Sequence, residues 1–540
     1  MGEFNLQRRA KALTESGAIC TACLFLLSIA GGFAGASVKK PGHLFPFLLA
    51  CALFLCGVFA VYWKLSGSLT EGRLVALLFL MAFAARLCYI LLITVGTNQH
   101  DVSSFEKLNN NGHSGYILYL LENGKLPGEE VWDWQFYHPP LHHIVCAIWL
   151  KFQTAVGISF EAATENLQIL TLFYSMVALY ASYRVLKLVG LRGTALFAPL
   201  CLLAFHPTFF LLSGSINNDC MSVMFCLLAV WAMLEWLKKP TFPRIAALAL
   251  CIGCGMLAKL ATGIIAPAVA VLFLIQFIKT KGWGWQGKGR LLLQFALFGC
   301  ICIPLGIGWQ VRNYLLYQMP LTYVPRLSDN SKQYLGNYST FSRFFDFGSL
   351  SDYGVFPMRA TVNGAEYYEH CIPLAIQKMS LFGEYSNWTR LHAYDAIGTL
   401  LFYGNAALIV ASISGAVTCV VSFFRTHFPR VATVAAEEAS PEDAFLAQNG
   451  FGRLPLLFFL LYWLTMLVSY VRFCFAFPHF CSMDFRYIVP TLLIGAVFFG
   501  VALRRLEERR DRLSVLLKSI LLCGTAAFCI CSLLLYPFYY

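Results

Sequence analysis

Charged residues are scarce in this sequence: Asp, Glu, Lys and Arg together fill 13% of 540 positions, while 58% are hydrophobic. That shortage excludes a disordered chain and leaves too little polar surface for an ordinary soluble globule. The apolar stretches also lack the alternation of a transmembrane barrel, and an open sheet cannot cross lipid with unpaired edge groups. Internal repeats, the mark of many carriers, are missing too. A cleavable signal peptide is not expected, because further apolar runs follow the first and no clear small-residue cleavage site separates them. The opening MGEFNL fails the myristoylation pattern, with Leu6 standing where Ser or Thr is required.

What the sequence does contain is a series of apolar runs, near 17–35, 44–63, 74–95, 166–187, 193–213, 219–237, 243–258, 261–278, 290–311, 396–424, 453–474, 487–503 and 515–535. By the criterion of roughly twenty residues per span this predicts an all-α polytopic membrane protein of about thirteen helices, with 243–258 and 261–278 short for the task. Lys and Arg in short connections favour the cytoplasm. Arg8, Arg9 and Lys11 therefore place the N-terminus inside, as do the connections holding Arg184, Lys187 and Arg192, then Lys238, Lys239 and Arg244, then Lys279, Lys281, Lys288 and Arg290, and RRLEERRDR at 504–512.

This alternation holds only if the apolar stretch 139–156 does not cross. It is expected to lie flat, with Pro139 and Pro140 opening a helix, Leu141, Ile144, Val145 and Ile148 facing lipid, and His142, His143 and Lys151 facing water. Four parts follow: an N-terminal pair of helices (1–73), a core (74–311) with a first outer loop (96–165), a second large outer loop (312–395), and C-terminal helices (396–540). The net charge of +12 then reflects topology, and no nucleic-acid partner is called for. Acidic EEASPED at 437–443 reads as a solvated inner loop. Cys20/Cys23 and Cys251/Cys254 have CxxC spacing inside apolar runs, where Cys behaves as a small apolar residue. Cys371 and Cys481 both fall outside and can pair in an oxidising compartment.

Polar residues gather at the outer ends of spans. TNQHDVSSF (97–105) brings His100 and Asp101 to the surface just after the third run, and SINNDC (215–220) brings Asn217, Asn218 and Asp219 to the same face. Either aspartate suits a helix N-cap equally well on local sequence. Arg312 in WQVRNYLLY and Arg486 in DFRYIVP stand at outer ends, against the positive-inside bias, where each suits an interfacial anchor or an anion site. Lys259, at the break between two short runs, is placed near the outer surface and can assist a phosphate; Arg86, inside the third run, is expected to satisfy a buried carbonyl or carboxylate. Glu384, in FGEYSNW, can help recognise an acceptor or belong to a simple loop core.

The order of Asp101 after a span, then HPPL at His138, Pro139, Pro140 and Leu141 in the same outer loop, then Asp219 heading a later span, resembles the GT-C glycosyltransferases of the protein O-mannosyltransferase type, family 39. Two departures stand out: Val102 follows Asp101 where that family has a Glu, and His142-His143 replaces Gly-Lys after HPPL. No β-rich module is evident in the second outer loop. The resemblance implies a GT-C-like bundle with extracytoplasmic juxtamembrane helices, and transfer of a sugar from a polyprenyl-phosphate donor to a protein, lipid or glycan acceptor at the extracytoplasmic face.

Inverting transfer needs a base for the acceptor hydroxyl and cations for the departing phosphate. Asp101 fits the base, Arg486 and Arg312 the phosphate clamps, and His138 a hydrogen-bonding partner of acceptor, sugar or Asp101. His142 and His143, a step further along the helix, are expected at the surface. A His and Asp set can also take a divalent metal ion, though no ligand spacing fixes one. The rival class is a polytopic transporter or lipid-linked sugar carrier.

Overall fold

The computed structural model describes residues 44–97, 100–105, 111–284, 287–360, 366–384, 395–425, 452–509 and 511–538. The expected first span, the motif Cys20/Cys23, the N-terminal basic residues and EEASPED lie outside them. The described helices are α1 (Leu44–Leu65), α2 (Glu71–Leu92), α3 (Gly112–Asn123), α4 (Leu141–Ala155), α5 (Phe160–Glu165), α6 (Gln168–Leu188), α7 (Thr194–Phe205), α8 (Pro207–Gly214), α9 (Asp219–Lys238) and α10 (Phe242–Ala258). There follow α11 (Ala266–Lys279), α12 (Lys288–Tyr317), α13 (Thr340–Phe345), α14 (Ser349–Tyr353), α15 (Ile372–Phe382), α16 (Asp395–Arg425), α17 (Arg453–Ala476), α18 (Thr491–Arg509) and α19 (Arg512–Leu535). Sheet among these residues amounts to one antiparallel pair, Met358–Ala360 with Glu366–Tyr368.

Nine helices among the described residues are long and apolar enough to cross a membrane, or eleven if each of two bent pairs counts as one span. The protein is thus an all-α, multi-pass membrane protein, and every expected run within the described residues coincides with a helix or bent pair. The run at 243–258 forms α10, which is short for a span, as its length foretold.

One bent pair shows how sequence dictates the break. Pro207 has no N–H to give the Leu203 carbonyl, and Thr208 N donates to His206 Nδ1 instead of to Ala204. Two carbonyls are left over inside an apolar bundle. Arg86 fills both, with its guanidinium 2.7 Å from Ala204 O and 3.5 Å from Leu203 O, and it also donates to Ser175 Oγ at 2.9 Å. The expected structural role of Arg86 is the one it has.

The ends of the helices sort into two groups. At one end, Lys187 Nζ meets Glu71 Oε1 at 2.6 Å, Gly193 N donates to Glu71, Thr194 contacts Glu507, and Lys518 pairs with Glu507. At the other, Gln168 Nε2 donates to Thr94 O at 3.3 Å and Gly214 O at 2.9 Å, joining the end of α2, the start of α6 and the end of α8. The chain therefore leaves α2 and enters α6 at the same end. α4, between them, is not among the candidate spans.

Its faces differ from expectation in one respect. Ile148 and Phe152 are exposed as an apolar face would be, but His142 and His143 are fully buried. His142 Nε2 bonds to Ile216 O at 2.7 Å, and His143 Nε2 meets His113 Nδ1 at 2.8 Å. α4 is held down by its histidines: each imidazole finds one hydrogen-bond partner on the protein side, though His143 Nδ1 is buried without one.

Candidate active site

Asp101 sits in the left-handed region at φ 58°, a conformation that Asp tolerates better than most residues. Its carbonyl accepts from His113 N at 2.8 Å. Gly112 passes so close that a Cβ there would lie 2.5 Å from Asp101 O, and Gly112 itself has φ 72°. Glycine is thus required to press the start of α3 against the Asp101 backbone. The helix that follows is preceded by Asn111, so Asp101 does not serve as its N-cap. Its carboxylate, a third exposed, points to Arg486 Nη2 at 3.4 Å.

Asp219 is also no cap. It is the first residue of α9, is nearly buried, and contacts the Lys259 ammonium through Oδ1 and Arg486 Nη1 through Oδ2 at 3.8 Å. Lys259 is delivered by the break between α10 and a 3-10 turn at Leu260–Ile265. Asn218 Nδ2 donates to Ala258 O at 2.9 Å, tying the start of α9 to the end of α10, and Asn217 Oδ1 accepts from Asp219 N at 3.1 Å. Asn218 thus positions the acid and the lysine relative to each other.

Arg486 lies between the two aspartates, in a 3-10 turn at Phe485–Ile488 just before α18. Asp484 N-caps that turn, its Oδ1 accepting from Arg486 N at 2.7 Å. Tyr487 shields one side, with its hydroxyl 3.1 Å from Arg486 Nη2 and its ring facing both Arg486 and Lys259. Asp101, Asp219, Lys259 and Arg486, contributed by segments 385 positions apart at the extremes, thus form one ion-paired group. In a partly desolvated setting such pairs hold geometry better than surface pairs do.

His138 is half-buried beside this group. Its ring stacks on His113 at 5.4 Å and leans on Tyr137 at 4.2 Å. Burial first, then the charges of Lys259, His143 and Arg486, push its basicity well below the ordinary histidine value, so it is neutral at physiological pH. Arg312 is not brought to the aspartates. It donates to Pro127 O at 2.7 Å and to Asn313 Oδ1 at 2.8 Å, and packs on Trp309 and Tyr317, which fastens α12 to the first loop.

A second polar group adjoins Arg486. His100 Nδ1 lies 3.0 Å from Glu384 Oε2 and its Nε2 lies 3.3 Å from Asp484 Oδ2. These three residues, with Thr208, Asn217 and Arg486, line a pocket between α8, α15 and the turn before α18. Residues 385–388 of FGEYSNW lie outside the described residues. Cys371 and Cys481 are both free thiols.

The sequence did not single out Asp484, Tyr487 or His113. Asp484 and Tyr487 flank Arg486 in DFRYIVP, and the signal available was their adjacency to an arginine that defies the charge bias. His113 had none, because its role depends on stacking across a loop.

A family model described as dolichyl-phosphate-mannose-protein mannosyltransferase matches residues 138–304. The match begins at His138 and takes in Asp219 and Lys259, while Asp101, Arg312 and Arg486 fall outside it. No curated protein gives a significant match. Among solved structures, the chain is similar to the Archaeoglobus fulgidus oligosaccharyltransferase in complex with Zn and sulfate, at 13% identity and a TM-score of 0.47 over 86% of this chain and 53% of that one. The apo form of the same protein gives 15% identity and a TM-score of 0.44, over 89% and 55%. The form tethered to an acceptor peptide containing the NVT sequon gives 13% and 0.43, over 88% and 55%. The chain spans about half the length of these structures.

Proposed function

We propose that this protein is a membrane glycosyltransferase that moves a sugar, with mannose the first to try, from a polyprenyl-phosphate donor to an acceptor hydroxyl at the extracytoplasmic face. The observation that carries the reading is the meeting of Asp101 and Asp219 at Arg486, beside Lys259, at one end of the bundle. A lipid-tethered phosphosugar presents its phosphate at that depth, and a guanidinium and an ammonium side by side suit a phosphate that gains charge as it leaves. The description of the matching family supports both the donor class and a protein acceptor.

The roles divide by environment. Asp219 is nearly buried against Lys259, so its charge is spent on holding that lysine. Asp101 is more exposed and has Arg486 as its ionic partner, which leaves an oxygen to take the acceptor proton as base. Inversion follows if that base directs the acceptor to the face opposite the phosphate. Neutral His138 can donate one hydrogen bond to sugar or acceptor without competing for the phosphate. The basic connections, at the end opposite this group, support a cytoplasmic side there, an extracytoplasmic site and a cytoplasmic N-terminus.

The test is release of free polyprenyl phosphate by the purified protein from radiolabelled polyprenyl-phosphate mannose, other hexoses and a pentose. Release from one of these, dependent on acceptor, is the expected result. Transbilayer movement of an intact donor with no release would instead favour a lipid-linked sugar carrier.

A further inference from the structure

The four carboxylates around the pocket outnumber the fixed cations. Asp101, Asp219, Glu384 and Asp484 bring four carboxylates to this region against two fixed cations, Lys259 and Arg486, with His100 lying between Glu384 and Asp484. Glu384 and Asp484 are 1% and 4% exposed, and a buried charge is normally paired or bound to metal. Among the described residues, Glu384 Oε1 accepts no hydrogen bond, while Asp484 Oδ2 lies 3.3 Å from His100 Nε2. One ligand atom each from His100, Glu384 and Asp484 lies within 4.8 Å of the others, an opening that a cation can draw together.

We propose that His100, Glu384 and Asp484 hold one divalent cation, and that this cation fixes the position of Arg486. A dication adds positive charge where carboxylates outnumber fixed cations and gives the buried Glu384 Oε1 a partner. The donor set, one imidazole and two carboxylates, suits Zn²⁺ or Mn²⁺ better than Mg²⁺ or Ca²⁺, which prefer oxygen alone. The three ligands come from the first outer loop, the end of α15 and the cap of the turn before α18, so the ion ties the two large loops to the transmembrane bundle. Asp484 carries the effect onward: one oxygen faces the ion while the other accepts from Arg486 N. Its link to donor binding rests on the transferase reading; the site itself does not.

The test uses the full chain in nanodiscs, stripped with a chelator and then titrated with Zn²⁺ or Mn²⁺, with bound metal measured by equilibrium dialysis and elemental analysis. One ion per chain is expected, together with a higher thermal unfolding midpoint. Glu384→Gln, Asp484→Asn and His100→Asn should each weaken binding by at least about tenfold. Glu71→Gln, at the opposite end, should bind as the parent does and controls for general damage. Donor affinity of the parent should fall on stripping and return with metal. A parent that binds no stoichiometric metal overturns the site, leaving an imidazolium between two carboxylates. Equal affinity in all variants also overturns it, and donor affinity unchanged by stripping overturns the role toward Arg486. Metal binding is read without any sugar transfer, so the site and the transferase reading fail separately.

Discussion

Arg486 is the residue on which the site turns, because two aspartates and a tyrosine hydroxyl converge on one guanidinium. Arg486→Ala should weaken donor binding by about 1.5 to 3 kcal/mol for each charged hydrogen bond lost to the phosphate. Arg486→Lys should restore the charge but not the planar fork, giving partial rescue. Donor affinity measured by equilibrium binding decides between this and a membrane anchor, for which both variants would bind as the parent. At this scale the grouping was partly legible: Arg486 and Lys259 each broke a local rule of charge placement, and Asp101 and Asp219 stood at span ends on the same face, although each also suited a helix cap. Arg312 broke the same rule for a different reason, to hold a loop carbonyl, and a single sequence does not separate the two.

Among the elements, α4 departs most from its sequence pattern. Its histidines follow a proline pair at the edge of an apolar stretch and so look water-facing, yet they turn inward to Ile216 O and to His113. Burial pushes His142 down to about 4 and His143 well below the ordinary 6.5. The unfolded chain therefore takes up protons near the ordinary value while the folded chain does not, so stability must fall as pH drops below about 6.5. For His142 that loss levels off once pH passes below about 4. Thermal unfolding in detergent should show a falling midpoint from pH 7 to 5, and His142→Gln, which can still donate to Ile216 O, should flatten that fall. A parental midpoint that rises over this range would show that the buried histidines are not held neutral. The helices themselves were readable from hydropathy; the inward turn was not, because it is decided by a carbonyl 74 positions away.

For the whole molecule, the order of crossings follows from which helix ends meet, and the positive-inside bias gives the direction. A single cysteine at Lys125 should be labelled by an impermeant reagent from outside, and one at Arg192 should not, in a background stripped of accessible thiols. The reverse pattern would turn the site to the cytoplasm. The positions of the apolar runs were legible because lipid imposes a minimum length on each span, although the twelve runs within the described residues give nine to eleven candidate crossings; the meeting of the ion-paired residues was not, since their partners lie on segments with no sequence relation. The central claim is that this meeting forms a transferase site with Asp101 as base. Its most direct test is single-turnover transfer from bound polyprenyl-phosphate sugar by the parent and by Asp101→Asn, which keeps the size and the tolerance for positive φ. The variant should fold, and with donor bound its transfer should be about 10²- to 10⁴-fold slower. Transfer at the parental rate by a well-folded Asp101→Asn protein would contradict the account.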